Sequence, residues 1–339
     1  MKKLLFSVAL ICSLTGAAFA EDWHKSQWGP DDEIGAANHI TPESVLEASK
    51  LIKTGKTYNL GIVVDSKTPA FSPRSMSITV LQPNQVTTQG LGTNGMTYND
   101  DIFMGWLGIG PQIDGLGHIG IKHQYYNGLK GAEVAKADGL AKLGLEKLPP
   151  IVTRGVLLDM TKHYDQEIIK EGTAYTREDV IAVAKAQGVE LKKGDTVFFH
   201  SGWLNLLDGE NQDHKRYVSV EPGLGITGAE YLTKIGVVAV GADTWGLEAL
   251  PFEKGADGVF AVHQILIPQN GIYILENMDT RELVKDEAWE FMFVLGVTRL
   301  RGAVQMMINP TANSLTKRPA LGGELPVREP LIRTAARNA

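Results

Sequence analysis

The sequence predicts an α/β fold, a single domain with a central mixed β-sheet flanked by helices. Three observations point there. Short apolar, β-rich runs alternate with amphipathic runs of helical period. The helical runs open on recognisable capping sequences. Beyond residue 20, no stretch reads as a linker, a repeat or a low-complexity tract, and the 37 glycines and 15 prolines show no fixed period.

In chain order, the strand candidates are residues 58–64, 76–81, 155–160, 195–200, 237–240, 271–275 and 291–295. Each is rich in Val, Ile, Leu, Phe or Tyr, which suit a pleated, half-buried surface, and most of these runs are expected to be core. Between them, Thr41-Pro42-Glu43-Ser44 opens a helix with a proline suited to the first turn. Thr176-x-x-Asp179 opens another, and Thr227-x-x-Glu230 and Asp279-x-x-Glu282 carry the capping-box pattern. Residues 106–120 differ. With five glycines and a proline they predict a loop, either plain or shaped around a ligand.

Composition narrows the function. Of 339 residues, 43% are hydrophobic and 21% charged, which are globular proportions. A net charge of −6 without a basic run argues against nucleic acid and leaves a small molecule as the expected partner. Residues 1–20 read as a Sec signal peptide. Met1-Lys2-Lys3 is a positive start, Leu4 to Leu14 an apolar run too short to span a bilayer, and Ala18-Phe19-Ala20 a small-x-small cleavage site. The expected product is a periplasmic domain of residues 21–339 with no membrane partner. Cleavage removes Cys12, the sole cysteine, so disulfides and thiol nucleophiles are excluded.

Several chemistries can be set aside. Gly108-Ile109-Gly110 lacks the third glycine of a dinucleotide site and the lysine of a phosphate loop. His200-Ser201-Gly202-Trp203 is not a nucleophile elbow. What remains is Gln112-Ile113-Asp114-Gly115-Leu116-Gly117-His118. In an extended chain Gln112 and Asp114 point to one side, which makes half of a metal site, and His118 follows as a base or further ligand. Far along the chain stand His263 and Glu276, the latter ending an apolar run where a carboxylate needs a compensating cation. Taken alone, these residues are also compatible with a polar turn and a buried hydrogen-bonded pair.

The same residues resemble the cyclase-type metal-dependent hydrolases, the superfamily of bacterial kynurenine formamidase, isatin hydrolase and trans-dienelactone hydrolase. Its hallmark, His-x-Gly-Thr-His-x-Asp-x-Pro-x-His, falls in register on residues 108–118. Further segments follow in the same order: Trp28 to Ala36, His200 to Trp203, Gly241-Ala242-Asp243-Thr244, His263 to Leu266, Ile274 to Asn277, and Gly302 to Gln305 with Asn309-Pro310. The resemblance implies a swivelling β/β/α domain, usually in a homodimer or homotetramer. It also implies a divalent ion, Mn2+ or Zn2+, held by Asp114, His263 and Glu276 with Gln112, and His118 as the catalytic proton shuttle. The chain departs from the hallmark at its first two histidines, which are Gly108 and Gln112. An oxygen-rich set of this kind favours manganese or loosely held zinc and a single ion. Trp106, His200 and Trp203, beside the motif segments, are expected to touch substrate. The function implied is exported hydrolysis of a small cyclic or acyl amide, lactam or lactone. The alternative is a periplasmic small-molecule binder on the same fold without turnover.

Overall fold

The structure, a computed structural model, describes residues 25–81, 90–254 and 258–314. The segment expected to be a signal peptide lies outside the described residues, among which no helix is long and apolar enough to cross a membrane.

Nine strands build one sheet: β1 (Thr57–Asn59), β2 (Gln112–Asp114), β3 (Ile151–Asp159), β4 (Thr196–His200), β5 (Ala239–Ala242), β6 (Tyr273–Glu276), β7 (Glu290–Leu295), β8 (Gln305–Met307) and β9 (Thr311–Ser314). Their order is β1-β9-β7-β3-β4-β5-β6-β2-β8. Strands β3 to β6 run parallel, and the pairings on both flanks are antiparallel. The sheet is therefore mixed, and its parallel centre is a nearly continuous apolar run. Leu157, Leu158, Val197, Phe198, Phe199, Val240, Ile274 and Leu275 are all fully buried.

Helices α1 (Pro42–Ser49), α2 (Arg177–Gln187), α3 (Ile226–Ile235), α4 (Ala261–Gln264) and α5 (Arg281–Lys285) fill connections around this sheet. Two start as their sequences predict. Thr41 and Ser44 exchange hydrogen bonds at the head of α1, and Thr176 and Asp179 do so at α2. Two others differ. Helix α3 begins two residues early, capped by Gly225, so Thr227 is already helical and its hydroxyl accepts from the Arg177 amide of α2 at 3.2 Å. At α5 the carboxylate of Asp279 accepts from the amide and the guanidinium of Arg281, two residues on, rather than closing a box with Glu282.

Three strand expectations are also corrected. The run 58–64 follows β9 in register to Asn59, and Leu60 still donates to the Pro310 carbonyl at 3.0 Å, but Pro310 has no amide to return the bond and the ladder ends there; Val63 is 94% exposed. Residues 76–81 form a strand, but it pairs with Asp100–Gly105 as a two-stranded ribbon outside the main sheet, with Ile78, Val80, Ile102 and Phe103 exposed. The presumed loop 106–120 contains β2, whose three residues are buried between β6 and β8.

Candidate metal centre and active site

Ligands of open α/β sheets gather at the carboxyl ends of parallel strands, and Glu276 ends β6. Antiparallel β2 places Gln112 directly opposite Glu276, while β8 places Gln305 opposite Asp114. Side chains alternate along a strand, so Gln112, Asp114, Gln305 and Glu276 share one face. His263 arrives from α4, in the connection between β5 and β6. After β2 the chain turns sharply, the His118 amide bonding to the Gly115 carbonyl at 3.0 Å. A Cβ at Gly115 would meet the Val304 carbonyl at 2.8 Å, so the turn can seat against β8 only without a side chain. Asn277 pins the far side, its amide donating to the Gly110 carbonyl at 2.8 Å and its own oxygen accepting from the Tyr217 hydroxyl.

The floor is a hydrogen-bonded set of ionisable groups. Gln112 Nε2 donates to Glu276 Oε2 at 2.7 Å and to Asp114 Oδ1 at 3.2 Å, and Gln305 Nε2 donates to Asp114 Oδ1 at 2.6 Å. Each carboxylate thus has one oxygen held by amides and the other turned inward. His263 Nε2 lies 3.4 Å from Glu276 Oε1 and 3.8 Å from Asp114 Oδ2. His263 Nδ1 is 2.7 Å from Glu248 Oε1, an outer partner that fixes the ring and also accepts from the Val262 and His263 amides.

Burial drives the electrostatics. Glu276 is pushed up to about 7 by desolvation, and then by the charge of Asp114. For His263 desolvation opposes the charged form, but Glu248 and Glu276 overcome it and raise the ring to about 10. His118 goes the other way, lowered by burial, with Asp114 opposing and His263 and Arg74 adding to the shift. Behind the site, completely buried Glu221 sits well above the ordinary carboxylate range through desolvation and the charge of Glu276. It accepts from the Trp245 and Gly246 amides and anchors that loop.

These residues fit a divalent ion. Asp114 Oδ2 is buried and has no hydrogen-bond partner, an expensive condition for an oxygen that coordinates nothing. One donor atom each from Asp114, His263 and Glu276 lie within 4.8 Å of one another. Gln112 stands beside them. It turns its amide nitrogen to both carboxylates and orients them.

A small cavity opens over this floor. Phe71, Trp245, Phe260 and Ile119 give it an apolar wall, with the Phe71 and Trp245 rings stacked at 5.4 Å. His118 and Arg74 border it. The three residues expected to touch substrate do not line it. Trp203 is fully buried in a separate apolar cluster and donates to the Tyr217 carbonyl at 3.2 Å. Trp106 follows the exposed ribbon and is 47% exposed. His200 is buried against Thr280 at 2.7 Å and Asp243 at 3.3 Å. Its neighbour Asp243 accepts from the Ser201 and Gly202 amides and the Ser201 hydroxyl.

Sequence reading overlooked Glu248, Gln305, Arg74 and the aromatic wall. A glutamate in the apolar stretch Leu247-Glu248-Ala249 was the available signal for the first, and alternation along the closing strand for the second. Arg74 gave none.

Two predictions follow from these partners. Glu248→Gln removes the charge that orients His263 and is expected to weaken Mn2+ binding roughly 10- to 100-fold, measured by competition with a chelator. Asp243→Ala strands three buried donors and should cost about 3 kcal/mol in urea unfolding, with metal binding retained in the folded protein.

Comparison with known proteins agrees with this architecture. The Cyclase family model, described as "Putative cyclase", matches residues 58–249. A crystal structure of a novel cyclase shares 30% identity, with a TM-score of 0.74 over 84% of this chain and 97% of that one. The chain belongs to this cyclase family. Isatin hydrolase A from Ralstonia solanacearum has the same fold at 14% identity and a TM-score of 0.58, covering 80% of this chain and 97% of its own. An isatin hydrolase bound to the product analogue thioisatinate is similar at 14% identity and a TM-score of 0.55, over 80% and 98% of the two chains. No curated protein matches.

Proposed function

We propose that this chain is a metal-dependent hydrolase of a small amide, lactam or lactone, holding one Mn2+ or Zn2+ through Asp114, His263 and Glu276. The observation that carries this reading is the unpartnered, buried Asp114 Oδ2 turned towards His263 and, at 3.7 Å, towards His118 Nε2. A divalent ion bound there would acidify water and polarise a carbonyl. Gln112 and Gln305 hold the two carboxylates in place, and Glu248 holds the His263 ring. His118, kept neutral by burial, is free to take the proton of the attacking water and return it to the leaving group. The apolar wall suits a small ring. That isatin hydrolases share the fold supports the substrate class. The composition of residues 1–20 supports action in the periplasm.

The test is a panel of aryl amides, lactams and lactones offered to protein loaded with Mn2+ or Zn2+ and to chelated protein. Hydrolysis of at least one member should stop on chelation and return with metal. Ligand binding that is indifferent to chelator, without turnover, would favour the binding-only alternative.

A further inference from the structure

Gly108 stands where the hallmark has a histidine, and the structure shows what fills the space. A Cβ at 108 would lie 2.7 Å from Gln305 Oε1 and 2.8 Å from Arg74 Nη1. Arg74 is brought there by a tight turn in which its amide bonds to the Phe71 carbonyl at 2.9 Å. The turn is fastened twice, by Phe71 on Trp245 and by Arg74 Nη1 donating to the Gly108 carbonyl at 2.7 Å. That is the one side-chain hydrogen bond Arg74 makes among the described residues, and a guanidinium has five N–H donors. The half-buried side chain lines the cavity.

Charge decides what such a group can do. The carboxylates facing the cavity are Asp114 and Glu276, which one divalent ion would neutralise. Glu248 is turned away behind His263, where three hydrogen bonds hold it, and Glu221 is completely buried behind the site, accepting from the Trp245 and Gly246 amides. The guanidinium then remains as an uncompensated positive charge on the wall. A second divalent ion beside it would be repelled and would lack the imidazole that Gly108 cannot supply. An anion would be welcomed, and a guanidinium matches the two oxygens of a carboxylate.

We propose that Arg74 is a fixed second cation of this site, which binds the carboxylate of a substrate or product and leaves room for a single metal ion. This rests on the hydrolase reading, since hydrolysis of an amide or lactone releases a carboxylic acid. It adds a preference for ligands whose carboxylate lies beside a small ring.

The experiment compares benzoate with its neutral counterpart benzamide, by calorimetry on the Mn2+-loaded and the metal-free protein. Wild type, Arg74→Gln and Arg74→Lys are used, with Mn2+ per chain measured in each. The expected result is one Mn2+ per chain throughout. Benzoate affinity should fall roughly 10- to 100-fold in Arg74→Gln and recover in part in Arg74→Lys, with benzamide affinity unmoved. Unchanged benzoate affinity in Arg74→Gln, an equal loss for benzamide, or two Mn2+ per wild-type chain would overturn the proposal. Absence of Mn2+ from the wild type would instead overturn the metal reading, and with it the uncompensated charge assigned to Arg74.

Discussion

Asp114→Asn is expected to abolish metal binding and, in the same molecule, to stabilise the metal-free protein. The two effects have opposite signs because Asp114 sits against Glu276 in a buried floor, and their mutual repulsion helps push Glu276 up to about 7. Removing one charge relieves that repulsion, a gain on the order of 1 kcal/mol for one unit of pKa. The amide keeps an oxygen for the bonds from Gln112 and Gln305, so the floor has no reason to collapse. What it loses is the anionic oxygen turned inward. Mn2+ affinity should fall more than the roughly 100-fold upper range for losing an outer-shell partner. Metal analysis and urea unfolding of chelated proteins read both signs. A variant that still carries one ion per chain would remove Asp114 from the ligand set.

His118→Ala should lower turnover of any substrate found in the panel by about 10²- to 10⁴-fold while metal content stays at the wild-type level. The ring is partly exposed at the cavity, so its removal opens space without emptying the core. Undiminished hydrolysis by metal-loaded His118→Ala would end its assignment as proton shuttle. A parallel loss of metal would make it a ligand instead.

The parallel core was legible in the sequence because its strands are apolar runs, and helices α1 and α2 because their caps are local. Legibility failed where tertiary partners decide. Strand β2 is three residues long amid glycines, and it is extended because β6 and β8 grip it on both sides. The apolar ribbon mimics a core strand in composition, and only its lack of a covering layer distinguishes it. Asp114 and His118 could be named from a hallmark and its spacing, and His263 and Glu276 from later segments of the same resemblance. His200 and Trp203 were misplaced because a strand end points to a site without saying which side chain turns into it. For Gln112, spacing places the side chain beside Asp114 without showing which end of the amide faces its neighbours. Arg74 was invisible because nothing within its own turn shows that the Gly108 carbonyl lies opposite.

The lodging of β2 between β6 and β8 has a consequence for assembly. Asp114 meets Glu276 and Gln305 across sequence separations of more than 150 residues, so the polar floor is among the most non-local parts of the molecule. Closing such long loops is entropically costly and slow, and local helices and the neighbouring parallel strands can form before it. A chain emerging from synthesis would present Asp114 early, Glu276 well after it and Gln305 last. The centre is thus a feature of long-range topology, and an ion would find its full donor set only after β6 has paired with β2.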